Sequence, residues 1–350
     1  MIYNISRLRR FIGKATLAAA LVACGLFPNF ARAADSAVIL IYHRFGDERY
    51  PATNIRLEQF EAHIAELTSG KYHVLPLPEI IAAFAAGKPL PDHTVAITVD
   101  DAFRSVYDVA WPRLRKAKLP FTLFVATQPV EQGLPDFMTW DQIRALRDGG
   151  VTIGAHSETH LHMADQTAET NRAEIARSNA VFERELGTKP SLFAYPFGEA
   201  SEAVMTVVRK SGYKAAFGQQ SGVADSSLPR FYLPRFPLNE AYGAMDRVRL
   251  ILNALPLAVE DVTPQDPLVR PGANPPVFGF TLGKSVGDAR RMTCYNSHGG
   301  QMQVQHIGPR RIEIRFSDPF PAGRSRVNCT LPGPGGRWQW YGTQFYVKPK

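Results

Sequence analysis

The sequence predicts an α/β fold on a parallel sheet or barrel, followed by a smaller all-β piece. Three observations predict it. From Ala37 to about Ala254, short apolar runs alternate with amphipathic helical stretches, the pattern of parallel strands with crossover helices. Near Val262 the chain turns Pro-rich in "VTPQDPLVRPGANPPVF", and the runs beyond it are short, β-like and separated by Gly and Pro. Four apolar runs in the first part end on polar groups, where parallel α/β folds carry their sites. With 350 residues, 45% hydrophobic and 21% charged, the chain has the composition of a globular protein and not of a disordered one.

Residues 1–33 read as an export signal. Arg7, Arg9, Arg10 and Lys14 form a basic start, "ATLAAALVACGLF" an apolar stretch, and "ARA" at Ala31–Ala33 a small-residue cleavage site. The apolar stretch is shorter than the ~20 residues that span a bilayer. The alternative is a lipoprotein box, "LVAC", with lipid on Cys24. Removal of the signal leaves Cys294 and Cys329, which an oxidising compartment would pair as a disulfide.

The formal charge of +8 is unevenly spread. Residues 34–261 hold 23 basic and 28 acidic residues, a net of −5, and residues 262–350 hold 12 and 4, a net of +8. Outside the cytoplasm this argues against a nucleic acid partner. It leaves open an anionic envelope surface, contacted through the C-terminal piece, or a solvated basic face.

Taken in order, "AVILIYH" is a strand, and "LEQFEAHIAEL" a helix presenting Leu57, Phe60, Ile64 and Leu67 on one face. "TVAITV" is a strand, 104–118 a helix and "PFTLFVA" a strand. "TWDQIRALRDGG" is a helix opened by a Thr139/Gln142 capping box. "VTIGAH" is a strand, 167–187 a helix, "SLFAYPFG" a strand ending in a turn, 200–211 a helix and "YKAAFG" a strand. "QMQVQHI", "RIEIRFS", "SRVNCTL" and "WQWYGTQFYV" are strands of a small antiparallel sandwich. The expected organisation is a signal at 1–33, a catalytic domain at 34–261 and a β-sandwich domain at 262–350.

The polar strand ends are His43, the adjacent Asp100 and Asp101, His156, and the turn Tyr195–Gly198. Two neighbouring carboxylates repel, and one should keep its proton unless something offsets the repulsion. "HSETH" supplies an answer: His156, His160 and one carboxylate form an open zinc-type set, and a cation on Asp101 lets Asp100 stay ionised beside it as a base. Singly, each piece is ordinary. A pair of histidines four apart is usually a surface pair, an Asp-Asp a cap or turn, His43 a core histidine, and His162 a neighbour. Their order, spacing and strand-end placement agree only as a set.

At these residues the chain resembles the polysaccharide deacetylases (carbohydrate esterase family 4, the NodB homology domain). "TVDDA" at Thr98–Ala102 is similar to that family's T-F-D-D-G, "HSETH" matches H-S-x-x-H, and "FAYPFG" at Phe193–Gly198 is similar to F-R-P-P-Y-G. The resemblance covers roughly residues 37–240. It implies a distorted (β/α) barrel, here followed by the sandwich. It also implies metal-dependent hydrolysis of acetyl groups on an acetylated polysaccharide, with zinc as the metal and cobalt or nickel as alternatives. Carried over by position, Asp100 is the base, and Asp101, His156 and His160 are the ligands. Phe197 donates its N–H to the oxyanion, in a turn shaped by Pro196 and Gly198, and Tyr195 is a candidate substrate contact.

Two departures stand out. Ala194 occupies the place of the family's base-orienting arginine, and no late L-x-H follows "FAYPFG". A branch resembling the poly-N-acetylglucosamine deacetylases carries an early Y-H instead, which "IYHRF" matches and which makes His43 the acid, acting as imidazolium. Arg235 in "YLPRFPL" is the candidate replacement for the arginine, with Arg104 as the alternative. Ala102 stands where the family has Gly, which matters only if that backbone needs a positive φ. A barrel that binds glycan without turning it over is the competing reading, and an O-acetyl esterase a third.

Overall fold

The computed structural model describes residues 33–349. The basic start, the apolar stretch and Cys24 of the export signal lie outside the described residues.

Six strands form the frame: β1 (Ser36–Tyr42), β2 (Thr94–Asp100), β3 (Phe121–Val125), β4 (Thr152–Ala155), β5 (Leu192–Ala194) and β6 (Ala215–Phe217). They lie side by side in chain order, every neighbour parallel. Their continuous apolar runs follow from burial on both faces. Val38, Leu40, Val95, Ile97 and Val99 belong to one core cluster. The alternating residues Ala37, Ile39, Ala96, Phe124, Ala194 and Phe217 belong to a second. Because strand side chains alternate, Thr98 and Asp100 share the second face with Ala96.

The curled sheet is completed by the segment after β6. Leu233 exchanges backbone hydrogen bonds with Ala216 and Gly218, and Phe236 and Pro237 pair in parallel with Leu40 and Ile41 of β1. One short segment thus bridges first and last strands and carries Arg235 between them.

The α-helices of six or more residues are α1 (Leu57–Leu67), α2 (Leu77–Ala86), α3 (Trp111–Lys116), α4 (Trp140–Asp148), α5 (Ala168–Leu186), α6 (Glu202–Lys210) and α7 (Met245–Leu252). The Thr139/Gln142 capping box of α4 forms in both directions. The predicted helix over 104–118 is instead a wide π-helical turn, Val106–Ala110, leading into α3. In α1, Phe60 and Leu67 are buried as expected, but Leu57 is exposed and His63 is buried in its stead. His63 is fully enclosed because both ring nitrogens are satisfied. Nε2 donates to Gly243 O at 2.8 Å, so Nδ1 accepts from Tyr42 Oη at 3.0 Å. Helices α2 and α7 have no counterpart in the sequence reading. Leu77, Ile80, Ile81 and Phe84 of α2 pack into the inner cluster.

The C-terminal part is a sandwich of two largely antiparallel sheets. One orders β7 (Val259–Thr263), β8 (Phe278–Leu282), β11 (Arg311–Arg315) and β10 (Gln303–Ile307) as 7-8-11-10. The other is centred on β13 (Trp338–Val347), β12 (Gly323–Pro332) and β9 (Thr293–Asn296). Phe278, Phe280, Ile312, Ile314, Val327, Leu331 and Phe345 fill the space between. Cys294 and Cys329 stand directly opposite on β9 and β12 and form the disulfide within this core, their Cα atoms 4.1 Å apart. The boundary expected at 261/262 falls inside β7, and Leu255–Pro256 already pairs with β13. The Pro-rich stretch is no free linker: Val269 N donates to Tyr346 O, and its side chain lies in the sandwich core.

The uneven charge has a structural use. Arg337 donates to both carboxylate oxygens of Asp92 at 2.8 and 3.0 Å and to Asn253 O and Ala254 O. Basic residues of the sandwich are thus tied to acceptors of the barrel.

Candidate metal centre

Strand β2 ends on Asp100, and the backbone then enters the left-handed region at Asp101 (φ 76°) and Ala102 (φ 58°). The position that the family fills with Gly does require a positive φ, and Ala102 adopts it at a cost of roughly 1 kcal/mol. This turn places Asp101 on the rim, beside rather than behind Asp100. The "HSETH" stretch after β4 is a tied loop and not a helix. Ser157 (φ 66°) accepts from His160 N at 3.0 Å through its Oγ, and His160 is itself left-handed (φ 59°). Glu174 of α5 takes both Thr159 N and Thr159 Oγ1, and Ser178 Oγ donates to Ser157 O. Left-handed non-glycine residues concentrated in this way mark a site held by its surroundings.

The result brings three donors to one point. Asp101 Oδ1 lies 3.3 Å from His156 Nε2 and 3.2 Å from His160 Nε2. The three ligand atoms lie within 4.8 Å of one another. Asp101 Oδ1 and His156 Nε2 are buried, and neither has a hydrogen-bond partner among the described residues. His156 Nδ1 faces Ala194 O at 2.7 Å. A carbonyl only accepts, so in the neutral ring Nδ1 carries the proton and Nε2 presents its lone pair to the centre. Two orphaned buried atoms, a second imidazole and one carboxylate fit a divalent cation with an open coordination position.

Asp100 stands behind this set, fully buried, in a two-point pair with Arg235. Arg235 Nη1 donates to Asp100 Oδ1 at 2.7 Å and Nη2 to Asp100 Oδ2 at 2.8 Å. The guanidinium is fixed further by Thr98 Oγ1 at 3.1 Å and Gly218 O at 2.9 Å. Burial disfavours the Asp100 carboxylate, but the charge and hydrogen bonds of Arg235 outweigh it and hold the carboxyl below its ordinary value. Arg104 is exposed and makes no contact with Asp100, so the alternative carrier of the missing arginine falls away.

His43 follows β1 at the same rim. Burial pushes its pKa down, and the opposing pull of Asp101 and Asp100 does not restore it. Burial therefore favours the neutral ring over the imidazolium. His162 is not among the clustered donors, and its Nδ1 pairs with Glu199 Oε2 at 2.7 Å.

The third motif divides. Phe197 is left-handed (φ 60°, ψ 2°), and its ring meets His160 edge-on at 4.5 Å. Gly198 is also required, since a Cβ there would lie 2.5 Å from Gln219 N. Pro196 is buried beneath the turn. Tyr195 does not face the site: it is fully buried, its hydroxyl donates to Phe231 O at 2.8 Å, and it packs on Phe193 and Tyr232. Strand alternation sends it into the core. Tyr42 and Trp140 are core residues as well.

Residues that the sequence did not single out hold the turn from the sandwich side. Gln344, 1% exposed, donates to Gly198 O at 2.9 Å and Phe197 O at 3.3 Å, and Arg324 donates to Phe197 O at 3.2 Å. Glu199, also 1% exposed, lies below them. No motif in the β-runs announced these contacts, which depend on how the two parts pack.

Comparison with known proteins agrees with this geometry. The family model for polysaccharide deacetylase matches residues 87–216, which include Asp100, Asp101, His156, His160 and the Phe197 turn but neither His43 nor Arg235. A poly-beta-1,6-N-acetyl-D-glucosamine N-deacetylase of Staphylococcus aureus is 26% identical over 201 residues, 53% of this chain and 68% of that protein. Among solved structures, IcaB from Ammonifex degensii is similar at a TM-score of 0.56 and 25% identity, over 62% of this chain and 97% of that one. The Streptococcus pyogenes deacetylase PplD in complex with acetate shares the fold at a TM-score of 0.58 and 19% identity, over 62% and 98%. Motifs, barrel and ligand cluster converge on one family: over residues 87–216 the chain matches the polysaccharide deacetylases.

Proposed function

We propose that this protein is an exported, metal-dependent deacetylase that removes acetyl groups, in the first place N-acetyl groups of N-acetylglucosamine units, from an envelope or extracellular glycan. The observation that carries the reading is the cluster of Asp101, His156 and His160 directly in front of an arginine-held carboxylate. Export rests on the signal-like residues 1–33 and on the cysteine pair that an oxidising compartment would join. Docking of the basic sandwich on an anionic envelope is part of the same proposal.

Zinc suits two imidazoles and one carboxylate, with cobalt and nickel as substitutes. When bound, the cation supplies Lewis-acid polarisation of the acetyl carbonyl. Asp100, kept ionised by Arg235, takes a proton from the attacking water. The Phe197 N–H is the backbone donor for the developing oxyanion. His43, whose burial favours the neutral ring, passes a proton to the leaving amine only after acquiring one, and the proton taken up by Asp100 is the source at hand. Acetate and a free amino sugar leave.

The reading of an inactive glycan binder rests on two departures, the missing arginine at Ala194 and the missing late histidine, of which the first is the arginine that orients the base. A guanidinium on Asp100, supplied by Arg235, removes the first ground. The test is acetate release from a panel of N- and O-acetylated glycans by the zinc- or cobalt-loaded protein. Release lost in Asp100→Asn supports hydrolysis, release from O-acetylated glycans alone indicates an esterase, and none from any substrate refutes the proposal.

A further inference from the structure

Every second residue of β13 faces the barrel. Tyr341 and Phe345 pack into the sandwich core, so Gly342, Gln344 and Tyr346 point the other way. Only glycine fits at 342, since a Cβ there would lie 1.9 Å from Ser221 O in the loop after β6. That close approach carries Gln344 onto the turn after β5. Its Nε2 donates to Gly198 O at 2.9 Å and to Phe197 O at 3.3 Å, and its Oε1 accepts from Arg326 Nε at 2.9 Å. The amide has one orientation, because carbonyls only accept and a guanidinium only donates. Arg324 Nη1 adds a second donor to Phe197 O at 3.2 Å, and Tyr232 Oη a second to Gly198 O at 3.0 Å.

This turn needs holding. Gly198 N donates to Tyr195 O at 2.8 Å and Glu199 N to Pro196 O at 3.1 Å, so two tight turns overlap. Both are built on the positive φ of Phe197, and the second also on that of Gly198. Glycine takes such a φ freely, whereas phenylalanine does not. Pro196 O is committed to Glu199 N, and in a trans peptide the Phe197 N–H points the opposite way, out of the turn. Rotation of the 196–197 peptide would relieve Phe197 and turn that N–H inward. The ring is gripped from the barrel, by His160 edge-on at 4.5 Å and by His162 stacked at 4.1 Å. The carbonyl is gripped from the sandwich. A flip changes φ of Phe197, and ring and carbonyl held at once oppose it.

We propose that Gln344 is a positioning residue for deacetylation: from the sandwich, it keeps the Phe197 N–H aimed at the developing oxyanion. The inference rests on the function proposed above and on the Phe197 donor within it. Both hydrogens of the Gln344 amide and its oxygen are spent on protein partners, so the residue acts through the turn and not by touching glycan. The sandwich is then part of the catalytic unit and not an appended module.

The test uses the zinc-loaded full chain on β-1,4- and β-1,6-linked tetramers of N-acetylglucosamine and on p-nitrophenyl acetate. All three pass through an oxyanion at the same place, but the ester makes none of the sugar contacts. Gln344→Glu keeps the shape and the Arg326 contact and removes both donors; Gln344→Met removes them without adding a charge. Arg324→Met, at an exposed position, removes one donor to Phe197 O with no buried group disturbed. Deleting an oxyanion donor outright costs about 100–1,000-fold in kcat, and a donor free to turn away is expected to cost about tenfold or more in both Gln344 variants and about threefold in Arg324→Met. The fall should be the same on tetramers and ester, with KM within about twofold and zinc content unchanged, the pattern of an interaction made only in the transition state. Thermal unfolding above the assay temperature shows that each variant is folded. Unchanged kcat in the folded variants, a rise in KM in place of the fall in kcat, a loss confined to the tetramers, or a loss that follows zinc content would each overturn the inference and leave the deacetylase reading intact. No acetate from the wild type on any of the three substrates would remove that reading, and this inference with it.

Discussion

Replacing Arg235 by Met removes a charge on which another buried charge depends. Both Arg235 and Asp100 are fully buried, and the guanidinium makes four hydrogen bonds, at 2.7, 2.8, 2.9 and 3.1 Å. Breaking one side of a buried pair costs about 3–5 kcal/mol, because the remaining charge is left without compensation. The loss of donors to Gly218 O and Thr98 Oγ1 adds about 1 kcal/mol each. Met fills much of the space, so no cavity cost is added, and the expected loss is about 5–7 kcal/mol, a fall in Tm on the order of 12 °C for a chain of this size. Asp100→Asn alone strands the guanidinium and costs about 3 kcal/mol by the same reasoning. The double variant holds no buried charge, so its loss should fall short of the sum by about 3 kcal/mol.

The pH dependence reverses as well. With Arg235 present, the folded Asp100 pKa is below its unfolded value. Its contribution is complete above the ordinary carboxylate value and lost as pH falls through the folded one. Without Arg235, burial dominates and the folded value rises, so the variant becomes less stable as pH rises through the carboxylate range. The assay is thermal and urea unfolding of the metal-free protein across pH 3–7. A loss under about 1 kcal/mol for Arg235→Met, or strict additivity in the double variant, would refute the pairing.

Three further outcomes are expected. Asp101→Asn and His160→Ala should each weaken metal binding by more than about 100-fold, since even outer partners of ligands are worth 10–100-fold, as read by metal content after dialysis; full zinc retention by both would disprove the ligand set. His63 has a folded pKa lowered by burial and by the Arg247 charge, with only the Gly243 hydrogen bond opposing. Stability should therefore fall as pH drops below the ordinary histidine value near 6.5, and His63→Gln, measured over pH 5–8, should flatten that dependence. Breaking the Cys294–Cys329 bridge, which spans 35 residues, by the double Ala variant should cost about 3–4 kcal/mol on the chain-entropy account; an unchanged urea midpoint would contradict it.

The sequence by itself determined the alternation of strands and helices, the strand-end placement of His43, Asp100, Asp101 and His156, and the ligand spacing. These are local properties: burial on both faces demands continuous apolar runs, and a site at a strand end needs only the residue that terminates the run. It also showed that Ala102 sits at a position of consequence, though not that its φ is positive. What depends on packing was decided only in three dimensions. Arg235 reaches Asp100 because a segment 135 residues later in the chain bridges the first and last strands of the barrel. Tyr195 turns inward because strand alternation leaves it in the core. Gln344 and Arg324 hold the Phe197 turn because charge complementarity and a shared interface bring the sandwich against the barrel. No periodicity records such contacts, since they join residues whose only relation is the path that the folded chain takes.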